Sequence, residues 1–308
     1  MPAIKVKNLS KTFKDFKAVS GIDFEVPENK VVGFLGPNGA GKTTTIRMIV
    51  GLSKPTDGEI EVNGEKVVFG DFGANKSFSY LPELPSFYGW MSGKEYLDYI
   101  AQIFGIDIKT RKKKIAELLK LVNLADFANR KIAAYSNGMK QRLGIAQALI
   151  NDPKVLIMDE PVSSLDPIGR REILRIIEEL KKKMTIFLST HILSDVDKIC
   201  DEIIIINKGK IAINSTLADL KEKYAKSILE VEFSGDSNGI EDKLKAENWI
   251  KKYEKNGNNI KIWLSDENVM QKNIPLKFFA SQNIAVIKYG IKMPEVEDLF
   301  IDLIKEKK

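Results

Sequence analysis

Cysteine is nearly missing from this chain of 308 residues, which has one, Cys200. An intramolecular disulfide and a multi-cysteine zinc or iron–sulfur site are therefore excluded. Cys200 continues an apolar stripe at helical spacing with Leu193, Val196 and Ile199, which reads as inert core. Long hydrophobic runs are missing too. Stretches such as Ile203–Ile206 fall far short of the ~18 apolar residues that cross a membrane. Residues 1–13 alternate charged and apolar side chains and form no signal-peptide core. Work at a membrane is thus expected to need a partner chain. Neither sign of charge dominates: 48 Lys and Arg against 42 Asp and Glu give +6. That excess suits a cytosolic protein near anionic partners but does not by itself imply nucleic-acid binding. Histidine occurs once, at His191.

What is present is globular. Hydrophobic residues make up 44% and charged residues 29%, enough for a sizeable core and against global disorder. At ~150 residues per domain the length suggests two domains. Up to Asn214, short apolar runs (Val31–Leu35, Val155–Met158, Thr185–Leu188, Ile203–Ile206) are separated by helical stretches. This is the pattern of an α/β fold with a mostly parallel sheet covered on both faces. The opening Ile4–Val26 alternates with period two and predicts antiparallel strands. Residues 83–150 are almost free of strand patterns and predict a helical insertion. Its helices are expected near Ser92–Phe104 and Lys109–Leu121, the second burying Ile115, Leu118, Leu119 and Val122. After Asn214 the composition shifts toward Lys, Asn and Ser. Strand patterns (Leu229, Val231, Phe233; Ile260, Ile262, Leu264) flank a loop at Ser234–Gly239. A helix with Val296, Leu299, Phe300, Leu303 and Ile304 on one face is expected to close the chain. Domains 1–214 and 215–308, the second a small α+β unit, are the resulting expectation.

The sharpest local signal is Gly36-Pro37-Asn38-Gly39-Ala40-Gly41-Lys42-Thr43, which matches G-x-x-x-x-G-K-[ST] between an apolar strand and a helical pattern. Glycines let the backbone curl round a polyphosphate and aim N–H groups at its oxygens. The helix N-terminus, with Thr44 in its first turn, adds positive potential. Lys42 can reach the β- and γ-phosphates, and the Thr43 hydroxyl can hold Mg2+. The apolar run Val155–Met158 ends in Asp159-Glu160, which places two carboxylates at the carboxyl edge of the sheet, where open α/β sheets bind ligands. Asp159 is expected in the Mg2+ shell, and Glu160 is expected to orient and polarise the attacking water.

Between these motifs, Tyr135-Ser136-Asn137-Gly138-Met139-Lys140-Gln141-Arg142 resembles the signature sequence of ABC (ATP-binding cassette) ATPases. Asn137 stands where that signature has its first glycine. Asn tolerates positive φ, so the turn is expected to survive with a side chain on the nucleotide side. Ser164-Leu165-Asp166 is similar to the family's D-loop, and Ser189-Thr190-His191 to its switch histidine. Tyr80-Leu81-Pro82-Glu83 is similar to its Q-loop, with Glu83 in place of Gln and still able to offer oxygen to Mg2+. Phe13 sits where the family stacks an aromatic on adenine, with Phe16 as the competitor. The resemblance covers about residues 1–215. It implies a phosphate-loop NTPase core with an antiparallel β subdomain, ATP and Mg2+ as ligands, and His191 contacting the γ-phosphate. It also implies that Ser136 and Gly138 complete the nucleotide site of a second ATPase subunit, in an expected homodimer, and that Asp166 is among the nucleotide-binding residues.

Two uses of that energy compete. One is the motor of a transporter, bound peripherally at the cytoplasmic face of the cell membrane to an integral-membrane subunit. The other is a soluble ABC ATPase acting on nucleic acid or ribosomes. A single cassette, one cysteine and no long heptad run favour the first, so no nucleic acid is expected. Pro85, Phe87, Tyr88 and Trp90 crowd into the start of the helical insertion and could receive a helix of the membrane subunit. Lys292-Met293-Pro294-Glu295-Val296-Glu297-Asp298-Leu299-Phe300 resembles an ending of type-2 exporter ATPases, which points outward. The basic runs Lys109–Lys114 and Lys181–Lys183 read as solvated helix ends.

Overall fold

The computed structural model describes residues 1–71, 77–225, 228–234, 239–266, 268–282 and 284–291. The chain divides into two compact units, Met1–Thr216 and Leu217–Lys308.

The first unit opens with a hairpin, β1 (Pro2–Phe13) and β2 (Phe16–Pro27). Alternation places Ile22, Phe24 and Val26 inside while Asp23 and Glu25 face water, as a half-buried antiparallel strand requires. Next come β3 (Val31–Leu35), α1 (Lys42–Ile49), β4 (Asp57–Val62) and β5 (Glu65–Lys66). One sheet has the order β2-β1-β4-β5. β6 (Phe78–Leu81) then leads into a helical stretch of α2 (Gly93–Ile103), α3 (Ile108–Leu121), two 3-10 turns and α4 (Asn137–Ala148). Ile115, Leu118, Leu119 and Val122 are buried, as their spacing predicts.

The chain returns through β7 (Val155–Met158), α5 (Pro167–Leu180), β8 (Thr185–Thr190), α6 (Leu193–Ile199), β9 (Glu202–Asn207) and β10 (Lys210–Thr216). The second sheet has the order β10-β9-β3-β8-β7-β6, parallel throughout except for the antiparallel β9–β10 pair. Every residue of β3, β7 and β8 is buried, which is why these strands read as unbroken apolar runs. The two sheets meet through rings: Phe24 lies 5.7 Å from Phe34 and 5.9 Å from Phe187, centroid to centroid.

Register places the chemistry. Leu35 pairs with Thr190, and Met158 with Leu188. The residues that follow these three strands therefore emerge side by side at one sheet edge. They are the glycine loop, the acidic pair and His191.

The second unit comprises α7 (Leu217–Ala225), β11 (Ile228–Ser234), α8 (Ile240–Lys245), β12 (Ile250–Asn256), β13 (Asn259–Leu264), α9 (Asn268–Gln271), α10 (Ile274–Ser281) and β14 (Ala285–Ile291). Its sheet is antiparallel with the order β12-β13-β11-β14. Leu229, Val231 and Phe233 of β11 pack with Ile260, Ile262 and Leu264 of β13 against Trp249 and Phe279. The expected closing helix and the 292–300 motif lie outside the described residues. Among the described residues no helix is long and apolar enough to cross a membrane.

Candidate active site

The glycine loop is shaped by contacts that only glycine permits. A Cβ on Gly36 would sit 2.4 Å from the carbonyl oxygen of Ile206, and one on Gly41 2.7 Å from that of Ala18. Gly41 also takes φ 107 as it caps α1, a left-handed conformation that favours glycine. Lys42 opens α1 and is buried. Its ammonium donates to Gly36 O at 2.7 Å and Pro37 O at 3.3 Å, so the lysine braces the loop from within. It also pairs with Glu160 Oε1 at 3.2 Å.

Glu160 is held from both sides, because its other oxygen, Oε2, lies 2.9 Å from His191 Nδ1. Its backbone has φ 46, which costs a non-glycine residue about 1–2 kcal/mol. Asp159 is almost wholly buried. Its Oδ1 accepts from Ser189 Oγ at 2.6 Å and from Thr43 Oγ1 at 3.3 Å. Burial first, then the Asp159 charge, pushes the Tyr80 phenol up to about 12, against a smaller opposite pull from Arg47. Cys200 is buried and its thiol is pushed far up by desolvation, in keeping with inert core.

Lys42, Thr43, Glu160 and His191 face a cavity of about 470 Å³, lined also by Pro37, Asn38, Gly39, Gly41, Thr44 and Glu83, with Phe16 and Ala18 at its side. Gly36 and Ala40 support the loop without lining the cavity. A larger hollow of about 640 Å³ lies between α3 and α5. It has no glycine loop, and its rim mixes Lys114, Lys120 and Arg175 with Glu117 and Glu179, so the smaller cavity is the one built for a polyphosphate.

Some expected residues are placed elsewhere. Phe16, not Phe13, lines the cavity, while the Phe13 ring carries the Lys11 ammonium 4.9 Å from its centroid. Glu83 reaches the cavity and also accepts from Ser163 Oγ at 3.2 Å. Ser136 caps α4 by accepting from Met139 N–H at 3.2 Å, and Asp166 caps α5 by accepting from Gly169 N–H at 2.9 Å. Ser136, Gly138 and Asp166 are not among the residues lining the cavity of their own chain. Asn137 is the first residue of α4 and is not among the positive-φ residues. No left-handed turn is needed there, so its tolerance rests on ordinary helix geometry. Sequence reasoning gave no role to Ser189 itself, nor to Arg170, whose Nε donates to both oxygens of buried Asp195 at 2.9 and 2.7 Å. The only signal for Ser189 was a hydroxyl directly after the apolar run Ile186–Leu188 of β8.

With this geometry in hand, comparison with known proteins identifies the family. The family model for ABC transporters matches residues 19–163. The chain is 40% identical over 247 residues to the uncharacterized ABC transporter ATP-binding protein YxlF of Bacillus subtilis (strain 168), covering 80% of this chain and 79% of that one. It is 37% identical over 303 residues to the bacitracin transport ATP-binding protein BcrA of Bacillus licheniformis, covering 98% and 97%. Among solved structures, an ATP-binding subunit of an ABC transporter superposes with a TM-score of 0.65 at 32% identity, over 72% of this chain and 93% of the other. A dimeric ATP-binding cassette in a post-hydrolysis state, bound to ADP and Pi, does so with 0.61 at 26%, over 70% and 98%. The fold is the expected α/β phosphate-loop ATPase fold, and the transporter reading is favoured over the nucleic-acid one. The chain belongs to the ABC transporter family, as an ATP-binding subunit.

Proposed function

We propose that the chain hydrolyses ATP to ADP and phosphate with Glu160 as general base, in the presence of Mg2+, at the cytoplasmic face of a membrane. There it would power outward transport through a separate integral-membrane subunit. The observation that carries this reading is the clamp on Glu160: Lys42 at 3.2 Å on one oxygen and His191 at 2.9 Å on the other.

The chemistry follows from competition for one ammonium. An incoming polyphosphate offers Lys42 a stronger partner than Glu160 does, because its charge is larger and the loop's N–H groups converge on it. As Lys42 turns to the phosphates, Glu160 Oε1 is released to a water molecule. That water attacks the γ-phosphorus and its proton passes to Glu160. The bond to the bridging oxygen breaks, with the electron pair leaving on ADP. His191, oriented by Glu160 through Nδ1, has Nε2 free to meet the γ-phosphate. Thr43 and Asp159 offer hard oxygens 3.3 Å apart at the loop, and Glu83 lines the same cavity. This set fits Mg2+, which prefers oxygen ligands and retains several waters. When bound, Mg2+ neutralises phosphate charge.

A second subunit is part of the proposal. A Cβ on Gly138 would meet no heavy atom closer than 3.9 Å, so this chain's own packing does not demand glycine there. Close approach of a partner's nucleotide to the N-terminus of α4 would. Two nucleotides also suit the energetics. Driving an open–closed equilibrium from 1:99 to 99:1 takes ~5.5 kcal/mol, and one ligand at 100 times its Kd supplies at most ~2.7 kcal/mol. For the membrane subunit, we infer a contact at the start of the helical insertion. Leu84 and Trp90 are exposed there, at 73% and 69%, while Phe87 packs edge-on against Tyr96 at 5.1 Å.

The test is Glu160→Gln. It keeps size and hydrogen bonding but cannot take a proton at neutral pH. ATP binding should persist within about threefold while steady-state turnover falls by ~100-fold or more. Turnover at the wild-type rate removes Glu160 from the role.

A further inference from the structure

Ser189 has no solvent exposure and sits in β8 opposite Phe34 of β3, where packing alone would favour an apolar side chain. Its hydroxyl makes two hydrogen bonds. It accepts from the backbone N–H of Glu160 at 2.9 Å and donates to Asp159 Oδ1 at 2.6 Å. The register explains the reach. Met158 pairs with Leu188, so the next residue of β8 lies beside the turn in which β7 becomes Asp159 and Glu160. That turn needs holding, since Glu160 takes φ 46. Asp159 Oδ1 receives a second hydroxyl from Thr43, so two donors on different elements fix the plane of its carboxylate.

We propose that Ser189 is a positioning residue for hydrolysis. One hydroxyl sets the twist of the Glu160 backbone that aims its carboxylate between Lys42 and His191, and the same hydroxyl sets the rotation of Asp159. The inference rests on the reading of Glu160 as base and Asp159 as part of the Mg2+ shell, and adds the residue that aligns the two. Ser189 does not line the nucleotide cavity. Its loss should therefore act on kcat and leave ATP affinity nearly alone. Misplacing a reacting group by ~1 Å costs on the order of 100-fold in rate, and the effect expected here is about 10- to 100-fold.

The experiment compares Ser189→Cys, Ser189→Thr and Ser189→Ala with Glu160→Gln in the full chain. Each is measured for melting temperature, equilibrium ATP binding with and without Mg2+, and turnover. A thiol nearly preserves volume but is a weak donor and acceptor. Ser189→Cys should keep the melting temperature and bind ATP within about threefold of wild type, yet lose about 10-fold or more in kcat. Ser189→Thr, which retains the hydroxyl on a side chain suited to a strand, should recover most of that loss. Ser189→Ala should match or exceed the Cys defect, and it decides the question if the thiol variant does not fold. The proposal is overturned if Cys and Ala turn over within about twofold of wild type while Glu160→Gln is inactive. It is equally overturned if kcat falls only in step with melting temperature and ATP binding, with no recovery in Thr. Wild-type turnover in Glu160→Gln marks the different failure, that of the base itself.

Discussion

Phe13 and Phe16 close the tip of the same hairpin and face each other in register, but only Phe16 borders the cavity. Lys11 occupies the Phe13 ring with its ammonium, an arrangement worth about 0.5–1 kcal/mol at an exposed site. A base stacked on an aromatic is worth ~1–3 kcal/mol. Phe16→Ala should therefore weaken ATP binding by roughly 5- to 100-fold, and Phe13→Ala by less than about twofold. Titration with a fluorescent ATP analogue separates them, and the reverse ranking would return the adenine site to Phe13. The loop, the acidic pair and His191 were legible residue by residue, since each lies within a short run whose flanking strand fixes its position. The choice between two phenylalanines three residues apart was not. It depends on how the hairpin tip leans toward a loop more than twenty residues further along the chain, and no local pattern encodes that. Ser189 was equally illegible, because its partners at 159 and 160 come from another strand.

Among the elements, α2 shows how local chemistry sets a boundary. Ser92 Oγ accepts from Glu95 N–H at 3.2 Å, and Glu95 Oε2 accepts from Ser92 N–H at 2.7 Å, a reciprocal cap. The Ser92 backbone donor, foremost, and then its side chain and Lys131 pull the Glu95 carboxyl down to about 2. The folded value lies below the unfolded one. The cap therefore contributes fully above about pH 4.5 and is lost as pH falls toward 2. Ser92→Ala should cost ~1 kcal/mol in urea unfolding, and a Glu95→Gln chain should lose part of its stability decline between pH 4.5 and 2. An identical acid profile in that variant would detach the cap from the pH response. Amphipathic spacing made two helices of the insertion, α2 and α3, readable to within a residue or two, while α4, buried on most sides, was not read as a helix from spacing. Strands were readable where both faces or one whole face is apolar, as in β3, β7, β11 and β13. They were not in β12, whose sequence Ile250–Asn256 is mostly charged, nor in β14, which is largely exposed. Edge strands face water, and charge there is favourable, which erases the pattern.

At the scale of the whole molecule, the proposed second subunit would supply the other half of the nucleotide site. Ser136, Gly138 and Asp166 lie at helix N-termini and are not among the residues lining the cavity of their own chain, while the loop, Glu160 and His191 line it. A symmetric dimer can bring each set to the other's nucleotide. Two defective subunits then test the arrangement directly. Lys42→Ala removes the loop's ammonium, and Ser136→Ala removes the hydroxyl that caps α4. Each homodimer should be nearly inactive. Mixed, they form heterodimers in which one site carries both defects and the other carries neither. With random assortment about half of the dimers are mixed and one site in two is intact, so turnover should return to at most about a quarter of wild type, and less where closure needs both nucleotides. If each chain completes its own site, every site in the mixture keeps one defect and mixing restores nothing. Recovery that grows with protein concentration and vanishes on dilution identifies association as its source, and an equal-parts mixture as inactive as its components would show that the serine-bearing turn does not act across the dimer.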